Sequence, residues 1–231
     1  MGPTVYPHHT RAAALSGWRP LPAAILYPAD VSGEVRAGRP DPSVFVHPRG
    51  LCESDRVGPR TRIWAFAHVL AGAEVGADCN VGDHAFIEGG ARLGDRVTVK
   101  NAVLVWDRVT VEDEVFLGPN MVFTNDLAPR VGFRKSRDQL LPTLVRRGAT
   151  IGANATVLSG ITIGPYAFIA AGAVVVRDVP AHALVAGNPA TRIGWVCVCG
   201  RRLGAELTCA CDRRYRLTDE STGLAPVDPR P

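Results

Sequence analysis

An aliphatic or phenylalanine side chain returns at every sixth position over a long central stretch of this chain. The series runs Phe45, Leu51, Val57, Ile63, Val69, Val75, Val81, Ile87, Leu93, Val99, Val105, Val111, Leu117 and Phe123, and resumes with Val145, Ile151, Val157, Ile163, Ile169 and Val175. A period of six matches neither the 3.6-residue helical turn nor the seven- and eleven-residue seams of coiled coils. It is even, so it suits short strands of alternating facing that bend at regular corners, and Val and Ile favour a pleated surface. A β-sandwich would space its turn signals at eight to twelve residues and less evenly. A second track, four residues behind each anchor, holds only Thr, Ala, Cys, Val, Met or Ile from Thr61 onward, apart from Leu127 just before the register is lost. Glycine follows the anchor at Gly58, Gly76, Gly82, Gly94, Gly118, Gly152 and Gly164, where a sharply bending chain gains from a missing Cβ. A unit of this kind buries its apolar knob only by stacking on its neighbours, so the expected fold is an all-β solenoid.

The register is lost from Pro129 to Leu144, and a loop is expected to leave the stack there. It carries Arg130, Arg134, Lys135 and Arg137 and is followed by Arg146 and Arg147. Guanidinium forks suit phosphates, so the expectation is a basic clasp for a nucleotide or CoA, against a plain solvated loop. Residues 1–43 have no register and are rich in Pro, Ala and Arg; they read as a weakly ordered arm that a start codon placed upstream would also produce. At the other end Cys197, Cys199, Cys209 and Cys211 form two CxC pairs with a nine-residue spacer, which a hairpin would bring together. Such a set suits structural zinc or stands as free or redox-linked thiols, while Cys52 and Cys79 fall within the repeats and read as inert. The domain plan is an arm over 1–43, a β-helix over 44–195 with its loop at 129–144, and a Cys-rich segment and tail over 196–231.

The net charge of +4 is mild and does not imply nucleic-acid binding. No run approaches the length of a membrane span, and the apolar stretch near the N-terminus is too short for a secretory signal, so a cytoplasmic location is expected. Among candidate catalytic groups, His84 stands three places after anchor Val81, and histidine is the side chain most easily poised as a general base near neutral pH.

Two segments are more specific. GPNMVFTND (118–126), with the loop and PTLVRRGATIGANATVLSGITIG after it, resembles the N-acetyltransferases of nucleotide-linked 3-amino sugars. AFIAAGAVVVRDVPAHALVAGNPATRIGW (167–195) is similar to the CoA-binding end of hexapeptide-repeat acetyltransferases generally. The likeness covers roughly residues 45–195. It implies a left-handed parallel β-helix of about six or seven coils, a homotrimer with clefts between subunits, acetyl-CoA as co-substrate and a UDP- or dTDP-linked amino sugar as acceptor, for a surface polysaccharide or glycoside. It also points to Asn125 at the amino sugar with Asp126 beside it and Asn101 on a neighbouring coil. Glu88, Trp106 and Arg130 are further candidates for the acceptor side. For CoA it points to Arg177 and Arg192 at the phosphates, Pro189 in the GNPA turn, and Asn154 and Gly172 along the pantetheine. Competing readings are an O-acetyltransferase on the same fold, more dependent on an activating histidine, and a non-catalytic trimeric scaffold. A carbonic anhydrase on this solenoid needs paired histidines five apart, and His47, His68, His84 and His182 offer none.

Overall fold

A computed structural model of the chain describes residues 41–133 and 135–227, so the arm expected over 1–43 lies outside the described residues except for its last three. The described chain is all-β: strands of two to four residues wind as a left-handed parallel β-helix, and its only helical piece is a 3₁₀ turn at Arg137–Gln139.

Three sheets form the sides. The first stacks Phe45–Val46, Arg62–Ile63, Asn80–Val81, Thr98–Val99, Phe116–Leu117, Thr150–Ile151, Phe168–Ile169 and Ala183–Ala186, then Thr191–Trp195 antiparallel at its edge. The second stacks Leu51–Cys52, His68–Val69, Phe86–Ile87, Leu104–Val105, Val122–Phe123, Thr156–Val157 and Val174–Val175. The third stacks Glu74–Val75, Arg92–Leu93, Val109–Val111, Thr143–Val145 and Thr162–Ile163. Ile63 pairs with Val81 and Val81 with Val99, one coil of three hexapeptides apart. Leu117 pairs with Ile151 across the inserted loop, so the stack closes over it without a break. The first sheet therefore has eight parallel levels, more than the six or seven coils expected, because stacking continues to Ala186.

Both sequence tracks face inward. Ile63, Val69, Ile87, Leu117, Phe123 and Ile151 are fully buried, as are Thr61, Ala67, Ala85, Val97 and Met121 of the second track. Each large side chain so buried contributes roughly 1.5–3 kcal/mol.

The start of the series needs a correction. Phe45 pairs with Arg62 and Leu51 with His68, so Val46 and Cys52 take the inward positions while Phe45 and Leu51 are exposed. The register slips by one between Cys52 and Val57. Ser54, buried there, donates its hydroxyl to the Ala73 carbonyl at 2.6 Å and accepts from the Arg56 N–H at 3.0 Å, filling the shortened corner.

The glycine reading needs one too. The positive φ values fall three residues after each anchor, at Phe66, His84, Ala102, Asn120 and Asn154 among others. The glycine directly after the anchor serves close stacking instead: a Cβ on Gly76 would overlap the Gly94 carbonyl of the next coil.

The turn Gly187–Ala190 joins the last parallel strand to the antiparallel one, which seals the end of the first sheet. Beyond it, residues 196–227 fold back. Their hairpin, Tyr215–Asp219 with Gly223–Pro226, touches the stack where Gly223 bridges Ala181. Buried His182 lies between the rings of Tyr166 and Tyr215, at 5.2 and 4.9 Å, and burial lowers its pKa.

Candidate functional site

Two corners flank the second sheet, and the sequence candidates divide between them. At the corner between the first and second sheets, one column stacks Phe66, His84, Ala102, Asn120, Asn154 and Gly172, each with positive φ. Each level is tied to the next by backbone, as in His84 N–H to Ala65 O at 3.1 Å and Gly172 N–H to Ala153 O at 2.8 Å. His84 is exposed and stacks on Phe66 at 4.9 Å. Asn101 stands beside this column, with its Oδ1 over Gly82, where a Cβ would come within 2.7 Å.

At the corner between the second and third sheets the residues two past the inward anchor form the column Asp107, Asn125, Ser159 and Arg177. The loop leaves from this corner. Asn125 is half-buried and its side chain has no hydrogen-bond partner among the described residues, so its donor and acceptor are both open to a ligand. Next to it in the column, Ser159 is buried and its hydroxyl is also unpartnered. Ser159 was not marked by sequence reasoning; its signal is position alone, two past Val157 as Asn125 is two past Phe123.

Neighbouring candidates support the corner. The Glu88 carboxylate accepts the Asp107 N–H at 2.7 Å, and the Trp106 indole donates to the Phe123 carbonyl at 2.7 Å. Both side chains thus brace the coil beneath Asn125. Asp126 caps the Ala128 N–H at 2.8 Å and pairs with Lys135, whose ammonium holds its carboxyl below the usual range. Arg137 grips Asp107 through two nitrogens, one at 2.8 Å, and lowers its pKa in the same way. Arg108 donates to the Arg137 carbonyl at 2.9 Å. The middle of the loop is thereby pinned to Asp126 and to Asp107 and Arg108 of the preceding coil.

The expected clasp of six cations does not form. Arg146 pairs with Glu112 at 3.0 Å and Arg147 with Glu114 at 2.9 Å, on the far side of the third sheet's coil. Lys135 and Arg137 are also carboxylate-paired, and Arg134 lies outside the described residues. Arg130 is exposed, with no ion-pair partner among the described residues. What the loop does assemble is a groove of about 450 Å³ on the third face, lined by Arg56, Arg92, Arg108 and Arg137 with Glu74. Arg56 and Arg92 are outward residues two coils apart, a spacing visible in the sequence once the eighteen-residue coil is known.

At the C-terminal end, Arg177 and Arg192 do meet. They line one cavity of about 580 Å³ with Asp178, Pro180, Glu220 and Ser221. Arg192 pairs with Glu220 and lies 4.2 Å over the Trp195 ring. Pro189 is exposed in the hairpin turn, after a cis peptide bond. Asn154 and Gly172 belong to the other corner, with His84. The four C-terminal cysteines converge, their sulfurs all within 4.8 Å of one another. Cys79 is buried in the core, which pushes its thiol up to about 11.

The outward residues of the second sheet, between the two corners, are Leu51, His68, Phe86, Leu104, Val122, Thr156 and Val174. That strip is largely apolar, whereas the outward row of the third sheet includes Glu74 and Arg92. Among the described residues no helix is long and apolar enough to cross a membrane.

Two stretches of this solenoid match known repeat families: residues 142–177 the bacterial transferase hexapeptide (six repeats), and residues 72–105 the hexapeptide repeat of succinyl-transferase. The chain is 46% identical over 178 residues to the dTDP-3-amino-3,6-dideoxy-alpha-D-galactopyranose 3-N-acetyltransferase of Aneurinibacillus thermoaerophilus, covering 76% of this chain and 92% of that one. A shorter match, 55% over 49 residues, is to serine acetyltransferase 4 of Arabidopsis thaliana and spans 21% of this chain and 14% of that protein. Among solved structures, the acetyltransferase domain of PglB from Neisseria gonorrhoeae aligns at 22% identity and a TM-score of 0.40, over 66% of this chain and 55% of that one. The chain belongs to the hexapeptide-repeat acetyltransferases, an enzyme of the family that the Aneurinibacillus protein represents.

Proposed function

We propose that this enzyme transfers the acetyl group of acetyl-CoA to the 3-amino group of a nucleotide-linked 3-amino sugar, with a dTDP-linked dideoxyhexose the first acceptor to test. The observation that carries the reading is the 46% identity across 92% of a 3-N-acetyltransferase of that kind. Both substrates are cytosolic metabolites, so we place the reaction in the cytoplasm, with the acetamido sugar destined for a polysaccharide or glycoside.

The reaction needs a neutral amine aligned on the thioester carbonyl; the C–N bond forms, the C–S bond breaks, and the amine's proton leaves to a base or to the departing thiolate. His84 on the first corner is our candidate base. Asn125, with both amide groups open, is our candidate for orienting the amino sugar, with Asp126 and Arg130 on its side of the sheet and Asn101 beside His84 on the other. Glu88 and Trp106 brace the corner of Asn125. Arg177 and Arg192 at the end cavity suit the phosphates of CoA, with Pro189 in the adjoining GNPA turn, and Asn154 and Gly172 the pantetheine.

His84 and Asn125 stand on opposite edges of one sheet, and the apolar strip between them suits burial against a second copy. A homotrimer that packs through this strip sets the first corner of one subunit against the second corner of the next. Each site then draws on two chains.

The test is CoA thiol release by the purified protein with acetyl-CoA and a panel of dTDP- and UDP-linked amino sugars and their hydroxyl analogues. Turnover confined to 3-amino sugars is the expected result. Turnover of the hydroxyl analogues would reassign the enzyme to O-acetylation, and none with either set would sink the reading.

A further inference from the structure

The segment after the solenoid has little apolar core of its own. Among the described residues its buried apolar cluster is Cys197, Leu203, Cys209, Tyr215 and Leu224, and two of these five are cysteines. Units this small rarely hold a fixed fold without a staple.

The sequence carries the same element twice, twelve residues apart: CVCGRRL from Cys197 and CACDRRY from Cys209. The backbone repeats with it. Cys197 N–H donates to Arg201 O and Cys209 N–H to Arg213 O, both at 2.9 Å. Gly200 and Asp212 follow the second cysteine of each pair with positive φ, and their N–H groups return to the carbonyls of Cys197 and Cys209 at 2.8 and 3.0 Å. Antiparallel bridges Val196 to Arg202 and Thr208 to Arg214 close the two turns alike. Two identical tight knuckles thus face each other and present two sulfurs apiece.

The sulfurs form one group. Cys197 and Cys211 are 3.5 Å apart, Cys199 and Cys209 3.6 Å, with all four within 4.8 Å. Four thiolates about 2.3 Å from a tetrahedral zinc stand roughly 3.8 Å from one another, whereas two disulfides would not require the pairs to converge. Donors also aim at the sulfurs. The Tyr215 hydroxyl accepts the Val198 N–H at 3.1 Å, which leaves its own hydrogen for Cys197 Sγ at 3.0 Å, and Arg213 donates to Cys211 Sγ at 3.4 Å. Such donors offset the charge of a tetrathiolate site.

We propose that Cys197, Cys199, Cys209 and Cys211 bind one zinc ion as a closed structural site, four thiols losing their protons on binding. The ion fixes residues 196–227 against the end of the solenoid and so holds Glu220 and Ser221 in the wall of the cavity that Arg177 and Arg192 share. The site does not depend on which acyl acceptor the enzyme uses.

The test is the metal content of the full-length protein, purified without a metal-binding tag. About one zinc per chain is expected, with the thiolate-to-metal charge-transfer and tetrahedral d–d bands of four sulfur ligands when Co²⁺ takes its place. Cys199→Ser/Cys211→Ser should lose the metal and Cys52→Ser keep it. Stripping zinc with a mercurial should open residues 196–227 to protease while the solenoid resists. A zinc-free protein with four free thiols or two disulfides would overturn the proposal, as would a double variant that retains its zinc or a segment that stays protected after the metal leaves. The stoichiometry and Co²⁺ spectrum of the unmutated chain decide the matter even if the double variant misfolds.

Discussion

The two corners beside the second sheet are built from the same hexapeptide and end up under different constraints. The corner of Phe66, His84, Ala102, Asn120, Asn154 and Gly172 asks of each residue only a positive φ and a backbone bond to the neighbouring coil. Its side chains project outward, and His84 is exposed, so a histidine there answers to something other than the fold. The other corner is half-buried and laced together: Glu88 holds Asp107 N–H, Asp107 holds Arg137, and Lys135 holds Asp126. A residue left without a partner in that lattice, as Asn125 is, stands out by contrast. Exposure sets His84 apart at one corner, and an unused hydrogen-bonding group sets Asn125 apart at the other.

The largest expected effect tests whether the two corners belong to one site. His84→Ala should lower kcat about 10²- to 10⁴-fold, as loss of a general base does. Asn125→Ala should lower kcat/KM roughly 10- to 100-fold by removing hydrogen bonds to substrate. Neither should move the melting temperature much, since His84 is exposed and Asn125 makes no side-chain hydrogen bond within the described chain. Refolding the two variants together is the sharper experiment. If each site takes its His84 and Asn125 from different subunits, roughly a quarter of the sites in a randomly mixed trimer recover both groups. Mixing that restores nothing would show that the two corners do not share a site.

A second test separates the corners by stability. Gly90 sits at the laced corner with φ +92°, and a Cβ there would overlap Asp107 Oδ1 and stand 3.0 Å from Arg137 Nη2. Gly90→Ala should cost about 1–2 kcal/mol through backbone strain, and more if the carboxylate is displaced. Gly172, at the open corner, has φ +70° and nothing within 4 Å of where a Cβ would lie. Gly172→Asn should cost only about a few tenths of a kcal/mol, because asparagine tolerates this conformation. Thermal unfolding of the two variants side by side checks the contrast; equal losses would remove it.

Much of this was legible in the sequence, and the exceptions have physical reasons. The six-residue repeat named the inward face from Val57 onward because two positions in six, the anchor and the one four behind it, stay apolar or small there. Before Val57 it named the wrong partner, since Phe45–Val46 and Leu51–Cys52 are each apolar at two successive positions and alternation cannot choose between them. The loop's position was clear, but the destination of its charges was not. Arg137 and Asp107 are thirty residues apart, and nothing local couples them. Ion pairs one coil apart, such as Arg60 with Asp78, are by contrast readable from the repeat. Ser159 escaped notice because the serine is ordinary in sequence and acquires meaning only from its place in the column with Asn125.

The smallest expected effect concerns pH, and it again divides the corners. Hydrogen bonds from Arg137 hold the Asp107 carboxyl below the usual carboxylate range, as Lys135 does for Asp126. A group whose folded pKa is depressed contributes its stability above its unfolded value, about 3.9 for aspartate, and loses it as pH falls through the lower folded value. Loop docking should therefore be constant from about pH 5 to 9, with protease cleavage between residues 129 and 144 rising only in acid below that range. A bend in kcat/KM near neutrality then does not come from Asp107 or Asp126. Arg137→Gln should weaken docking yet leave the neutral bend where it is, whereas His84→Ala should remove or shift it. A bend that moves with Arg137→Gln would mean that the laced corner takes part in proton transfer, and the division between a chemical corner and a scaffolding corner would fail.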